Sequence, residues 1–500
     1  MSSSTAATSP LYAPPGSIHL NDKEEKFVQL LDQFARSLQP PIECRIAGGW
    51  VRDKLLDLPS HDLDVALSTT SGYQFAVDFA HFLHAHNVTT GSVGRVAANP
   101  EQSKHLETGT TRVMDLECDF VGLRSETYSD SRIPDQVQLG TPLEDAERRD
   151  LTLNSLFFNV HSRQVEDWTR HGLEDLKNKV ARTPLPPRQT FLDDPLRVLR
   201  AVRFASRFDL AIEPSVEAAI KDADIQTALQ SKVSKERVGI ETTKMMHKNP
   251  LLAIQLIHRL GLHEPMFTCS VPPPHPRSEA LAAAEILHAA IERGAGEGTE
   301  LLWLAAATCP YRDAEVPGKK PVPAVSAIMA EGLKLSTEHR NGVAHLFDAA
   351  KMLDPSLEGR SRIGIVLQNT AVRPWCQSFV WAVVMRILPT WKGMWTSEHD
   401  EVLSTFFRFR DHIEELGLPA AIDQHPIVDG KQVQALLEIK PSPLFAVIMR
   451  AINEWQLDHP SATADDCRQW LLAQWQGDGR VTWEGQVPAP VNRSKKTAKR

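Results

Sequence analysis

The stretch Ile46-Ala47-Gly48-Gly49-Trp50-Val51-Arg52-Asp53, followed shortly by His61-Asp62-Leu63-Asp64-Val65, decides how this chain is read. Glu43 to Ala47 reads as a short strand and Trp50 to Leu56 as a helix. Between them, two glycines let backbone N–H groups come close to an anion, and the helix N-terminus favours negative charge, so a triphosphate fits the turn. In the second strand a period of two puts the carboxylates of Asp62 and Asp64 on one face, where hard divalent cations can bridge them. Two such ions about 3.5–4 Å apart can activate a 3′-hydroxyl and stabilise a leaving pyrophosphate. A Gly-Gly turn alone is usually only a turn, and Asp-x-Asp at a strand end is usually a solvated edge or a cap. Their succession is what carries information.

Composition bounds the reading. Five hundred residues with 42% hydrophobic content and no apolar run of membrane length describe a soluble chain with more than one core. The six cysteines are scattered without Cys-x-x-Cys spacing, which argues against a zinc ribbon or a disulfide framework and for a reducing compartment. A net charge of −8 does not exclude a nucleic-acid partner, because only local patches act within a Debye length. Two basic patches stand out, Arg182 to Arg207 and the tail from Arg493 to Arg500. The tail reads as a disordered solubilising end, a nuclear signal or a loose RNA contact. Met1 to Leu20 lacks the basic start of a secretory signal and the arginines of a transit peptide. The expectation is cytoplasmic or nuclear residence, with a mitochondrial form left open.

Periodicity divides the chain into a disordered start (1–22), an α/β head (23–165), a helical neck (166–268), a proline-rich linker (269–278), a helical body and tail (279–485) and a basic disordered end (486–500). Within the head, a helix is expected over 24–38 and another over 73–86. Strands are expected near 93–98, 108–114 and 117–123. Helices follow near 143–158, 196–208, 215–223 and 235–246, and tryptophans 375, 381, 391 and 395 are expected in the core of the body.

Three further elements carry chemistry. Glu144 to Phe157 contains Arg148-Arg149-Asp150-Leu-Thr152-Leu-Asn154, which by itself is consistent with a salt-bridged helix surface. Phe191-Leu-Asp193-Asp194-Pro195-Leu196-Arg197 opens a strongly signalled helix, with proline in its first turn. At about 100° per residue, Arg197, Arg200, Arg203 and Arg207 share one stripe, and four like charges there call for anions beside them, from a nucleotide, an RNA backbone or neighbouring carboxylates. Asp119 sits in mid-strand, where β-propensity disfavours it.

The order of strand, Gly-Gly, helix, turn and Asp-x-Asp resembles the signature of the DNA polymerase β superfamily of nucleotidyltransferases. Gly48-Gly49-Trp50-Val51-Arg52-Asp53 is similar to the Gly-Gly-x-Val-Arg-Asp form of tRNA nucleotidyltransferases, the CCA-adding enzymes. Arg148-Arg149-Asp150-x-Thr152-x-Asn154, the Asp167…Gly172-x-x-Asp175-Leu176 turn, Asp193-Asp194-x-x-Arg197 and Ser234-x-Glu236-Arg237-x-x-x-Glu241 follow in that family's order. They resemble the bacterial and eukaryotic class, although Asp193 stands where glutamate is common.

The resemblance implies an α+β fold, a polymerase-β-like head followed by an all-helical neck, body and tail. It implies Mg²⁺ held by Asp62 and Asp64, with Asp119 nearby as a candidate third metal-binding carboxylate. Nucleotide contacts are implied for Gly49, Arg52, Arg149, Asp150, Asn154, Asp194, Arg197, Arg200 and Arg203. The implied partners are tRNA, CTP and ATP, with no membrane and no stable protein partner, and Ser234 to Glu241 is implied to brace the neck. The base choice has a direct chemical logic. Cytosine and adenine both place an amino donor beside a ring-nitrogen acceptor, so Asp194 can accept from one and Arg197 donate to the other. Arg124 to Gly140 reads as a mobile polar loop, of the kind that family uses to switch from cytidine to adenosine addition. The alternatives are a CC-only or A-only enzyme, a poly(A) polymerase of the same superfamily and, last, a catalytically dead RNA-binding protein.

Overall fold

Residues 9–487 are described by a computed structural model, except Pro15, His61, Thr70, 97–106 and 128–135. The expectations for the first eight residues, the basic tail from 488 onward and the centre of the 124–140 loop lie outside the described residues.

In chain order the first half contains β1 (Leu11–Tyr12), α1 (Asp22–Ser37), β2 (Cys44–Ala47), α2 (Gly49–Leu55), β3 (Asp62–Leu67), α3 (Gly72–Ala85), β4 (Gly94–Val96), β5 (Thr108–Val113) and β6 (Leu116–Gly122). A hairpin follows, β7 (Arg124–Thr127) and β8 (Gln136–Leu139), then α4 (Pro142–Glu147), a 3₁₀ turn at Thr152–Asn154, β9 (Phe157–Asn159) and β10 (Gln164–Asp167). After these come α5 (Gly172–Asn178), β11 (Val180–Ala181), α6 (Pro187–Asp193), α7 (Leu196–Phe208), β12 (Ala211–Ile212), α8 (Pro214–Ile220), α9 (Ala223–Lys232) and α10 (Lys235–Lys248).

Eight strands form one sheet in the order β1-β10-β9-β2-β3-β6-β5-β4. Every neighbouring pair is antiparallel except β3 and β6. The alternation in β3 and β6 explains why one face is covered and the other open. Leu63, Val65, Cys118 and Phe120 are buried, while Asp62, Asp64, Glu117 and Asp119 are exposed on the opposite side. The covered face meets α1 and α3 through a phenylalanine cluster, with Phe34 and Phe75 centroids 5.2 Å apart and Phe79 and Phe120 5.8 Å apart. Burying each ring contributes about 1.5–3 kcal/mol, so this cluster is the rigid base under the carboxylates. Asn21 starts α1 with a capping box to Glu24, as the sequence Asn-x-x-Glu allows.

The sheet reaches beyond the 23–165 span expected for the head. Leu11 pairs with Asp167 and Tyr12 with Glu166, so residues within the segment read as a disordered start form an edge strand. A second difference lies at 143–158, where the expected single helix is instead α4, a 3₁₀ turn and β9. Asp150 takes the Leu151 N–H and the Asn154 amide on one oxygen, which folds the backbone locally and interrupts the helix. Phe157 and Phe158 then pair with Ala47 and Ile46 of β2.

Two compact units divide the chain: Met1–Ser270 with Ala327–Ser336, and Val271–Ser326 with Thr337–Arg500. The body is therefore not the continuous segment expected, since a stretch including the π-helical turn Ile328–Gly332 belongs to the first unit. It lies against α10, where a Cβ on Gly239 would run into the Leu333 carbonyl oxygen. The second unit is mostly helical. Ser278–Glu292, Glu300–Thr308, Thr337–Met352 and Trp375–Ile387 pack together, with Phe347 edge-on to Trp381 at 5.2 Å. A separate cluster of Val433, Ile448, Ile452, Cys467, Leu471 and Trp483 holds its C-terminal helices. Of the four tryptophans expected in the core only Trp381 is fully buried; Trp391 and Trp395 remain half-buried, with indole N–H groups on Glu285 and Asp400. Among the described residues no helix is long and apolar enough to cross a membrane.

Candidate active site

The open sheet face forms the floor of a cleft of about 710 Å³ within the first unit. Asp62, Asp64 and Ala66 of β3 line it, with Val121 and Gly122 of β6, Ala47 and Gly49 beside the glycine turn, and residues of α4, α7 and α10. Its lining carries ten arginine and lysine side chains against five aspartates, an excess of positive charge suited to a polyanion.

Gly48 is required by geometry. It has φ +67°, and a Cβ there would sit 2.8 Å from Arg149 Nη1 and 3.3 Å from the Asn154 carbonyl oxygen. Gly48→Ala is expected to cost roughly 1–3 kcal/mol of stability and, by displacing Arg149, to raise the KM for nucleotide. Thermal melts and initial rates check this, and unchanged values would show that the turn tolerates a side chain. The helix that follows is only seven residues long, so the cleft's field comes mainly from side-chain cations rather than from a helix dipole.

Asp62 and Asp64 both face the cleft, as their spacing requires. Loss of hydration pushes the Asp64 carboxyl above the usual range; Arg149 opposes this, while Asp62 beside it adds to it. Asp119 is the register partner of Asp64 on the parallel strand β6, so the two project from the same face. Loss of hydration and the charges of Asp64 and Asp62 raise Asp119 as well, although it is not part of the cleft lining. A pair of hard carboxylates crowded by like charge fits a divalent cation. Among the described residues no group of three or more acidic, histidine or cysteine side chains forms a ready-made cage, so substrate oxygens and water would complete the coordination, as is usual for Mg²⁺.

The residues of the Arg-Arg-Asp run are held by their own partners. Asp145 is buried and takes Arg148 at 2.6 Å on one oxygen and Arg149 at 2.8 Å on the other; burial alone would raise its carboxyl, but the two arginines hold it well below the usual range. Arg149 also donates to the Asn154 carbonyl at 3.3 Å and lies over the Phe157 ring. Asp150 accepts from Asn154 at 2.9 Å and from Arg200 at 2.6 Å. Burial pushes Asp150 up, but the Arg200 charge and these hydrogen bonds prevail and bring it to about 2. Asn154 in turn accepts from Arg52. Arg52 is almost fully buried, paired with Asp53 at 2.6 Å and placed over the rings of Phe204 and Phe208, so it joins α2 to α7 at the edge of the cleft.

The arginine stripe of α7 exists, but the anions beside it are largely the protein's own. Arg200 pairs with Asp150, Arg203 with Glu241 at 2.5 Å, and Arg207 lies 3.9 Å from Asp53. The stripe is therefore no independent sign of a bound polyanion. Among the described residues only Arg197 of the four has no carboxylate within 4 Å; it donates to the Thr190 carbonyl at 3.3 Å. Asp194 and Arg197 both line the cleft without bonding to each other through their side chains. Asp194 caps the start of α7 through the Leu196 N–H and pairs with Arg237 at 2.9 Å. Of the element expected only to brace the neck, Glu241 does so, but Arg237 also lines the cleft.

Sequence reasoning gave no cleft role to Arg124, Asp145, Arg148, Arg237 or Lys244, all of which line it. Asp145 and Arg148 carried a usable signal in their i, i+3 spacing; Arg124 carried none. The Asp167-to-Asp175 turn is structural: Asp167 takes the Leu173 N–H, and Asp175 takes the Thr152 hydroxyl and Arg182. Outside the cleft, His399 accepts the Thr396 N–H and so caps its own helix.

Residues 44–182 match the Poly A polymerase head domain family. Bacillus stearothermophilus CCA-adding enzyme in complex with CTP has the same fold, with a TM-score of 0.64 over 93% of this chain and 100% of that one, at 18% identity. The chain is 38% identical to the mitochondrial CCA tRNA nucleotidyltransferase of Saccharomyces cerevisiae over 91% of each chain. It is also 38% identical to the tRNA nucleotidyltransferase cca2 of Schizosaccharomyces pombe over 91% of this chain and 98% of that one. With the open-faced sheet, the paired aspartates and the cationic cleft in place, this near end-to-end similarity establishes that the chain belongs to the family of CCA tRNA nucleotidyltransferases.

Proposed function

We propose that this protein adds C, C and A to the 3′ end of tRNA from CTP and ATP, without a nucleic-acid template and with Mg²⁺, releasing pyrophosphate at each step. The observation that carries this reading is the single cleft in which the Asp62–Asp64 pair, a surplus of cations and the Asp194–Arg197 turn meet. Asp62 and Asp64 would hold the metal. Divalent ions bound there supply activation of the tRNA 3′-hydroxyl and neutralisation of the departing pyrophosphate. Arg149 faces the phosphate chain, and Asp150 and Asn154, fixed by Arg200 and Arg52, shape the ribose end. Asp194 accepts from the amino group of cytosine or adenine while Arg197 donates to the ring nitrogen; uracil and guanine present a carbonyl and a ring N–H instead and lose about 1–3 kcal/mol per contact. Asp194 must share its carboxylate between Arg237 and the base, and Arg197 must exchange the Thr190 carbonyl for it.

Incubating the purified protein with tRNA ending at the discriminator base, and with each nucleoside triphosphate in turn, tests the reading. CTP alone is expected to give tRNA ending in CC, and CTP with ATP tRNA ending in CCA. Product stopping at CC, or A added only to a CC end, would assign a divided task; long A tails on unrelated RNA would assign a poly(A) polymerase. The mitochondrial designation of the budding-yeast relative adds mitochondria to the cytoplasm and nucleus as compartments that localisation of the tagged protein would decide between.

A further inference from the structure

One cation of the cleft is carried by a hairpin strand that is not part of the main sheet. Arg124 opens β7, and among the described residues β7 pairs only with β8, in a separate two-stranded hairpin. Its side chain nevertheless lines the same cleft as Asp64 and Arg149.

The partners of Arg124 do not satisfy it. Nη1 lies 3.9 Å from Glu126, and among the described residues the buried Nε has no hydrogen-bond partner. Arg148 competes for the same carboxylates, at 3.4 Å from Glu126 and 2.6 Å from Asp145. The Arg148 charge, together with burial, lowers Arg124 to about 10 against the pull of Glu126 and Asp145. Only the backbone N–H of Arg124 shares Asp145, at 3.2 Å. Three arginines thus crowd two carboxylates, and the one left with an unused donor is the one on the hairpin. A buried donor without a partner in an otherwise satisfied network calls for a ligand. The planar fork of a guanidinium matches phosphate oxygens.

We propose that Arg124 is a phosphate ligand of the incoming nucleotide, reaching from the hairpin to the triphosphate chain beside Asp64. The inference rests on reading the cleft as a nucleotide site. It makes the hairpin part of that site, so that an occupied cleft holds β7 and β8 to the sheet and an empty one leaves them attached mainly through Asp145 and Arg148.

The test uses the full chain with Mg²⁺ and no tRNA, so that nothing turns over, and titrates CTP, CMP and inorganic tripolyphosphate by calorimetry. Arg124→Ala is expected to weaken CTP and tripolyphosphate roughly 10–100-fold, the effect of losing charge-assisted hydrogen bonds, and to leave CMP within about twofold. Arg124→Lys, which keeps the charge but not the fork, is expected to fall between, and carries the test if the alanine variant does not fold. In the wild type, CTP but not CMP should slow amide exchange in β7 and β8, and Arg124→Ala should abolish that difference. CTP binding within twofold of wild type in a folded variant overturns the proposal. So do equal losses for CTP and CMP, which would mark a purely structural residue. A wild-type protein that fails to bind CTP at all refutes the nucleotide reading itself.

Discussion

Asp62→Ala and Asp64→Ala are each expected to reduce incorporation of both C and A by at least about a thousandfold while tRNA binding survives. Both carboxylates face one cleft from one strand, and divalent-ion stabilisation of the attacking and leaving oxygens is worth several kcal/mol, each 1.36 kcal/mol being a factor of ten. Gel-based incorporation assays and filter binding with the same tRNA separate catalysis from affinity. A control distinguishes loss of chemistry from loss of fold. Loss of hydration in the cleft and the charge of Asp62 disfavour the charged form of Asp64, so removing that charge relieves the folded state. In EDTA, Asp64→Asn should therefore melt no lower than wild type. Turnover within tenfold of wild type in either alanine variant would remove the pair from the mechanism.

Asp150→Ala is expected to lose roughly 2–4 kcal/mol of stability. That is somewhat less than the full effect of breaking a buried pair, because Arg200 keeps 36% of its side chain in contact with solvent. The sign with pH follows from the lowered carboxyl. Its contribution is fully present above the unfolded value of about 3.9 and disappears as pH falls toward the folded value of about 2. Denaturant melts of wild type and variant should therefore stay apart above about pH 4 and converge below it. Nucleotide use should also fall, because the same carboxylate orients Asn154. A constant gap through the acid range would mean that the loss comes from packing rather than from the Arg200 pair.

The legible parts of the chain were those where one local period does one job. The period of two in β3 placed Asp62 and Asp64 together, and the proline with its preceding acids placed the start of α7 at Leu196. Failures arose where side chains rewrote the backbone or where partners came from afar. The Asp150–Asn154 bond broke a helix that the periodicity of 143–158 favoured. The α7 stripe drew its neutralising carboxylates from positions 50 residues upstream, at Asp150, and 38 downstream, at Glu241, which no local window contains. Arg124 looked like the first residue of a loop; only the hairpin's position relative to β6 turns it toward the cleft.

The return of Ala327–Ser336 to the first unit has a consequence during synthesis. At about 5–20 residues per second, a ribosome that has just finished Ser270 needs several more seconds to deliver the segment that closes over Gly239. Throughout that interval the nascent chain carries every strand of the catalytic sheet but leaves one side of α10 bare. Slowing translation between codons 271 and 336 is therefore expected to lower the yield of folded protein by prolonging the time for which that surface can aggregate.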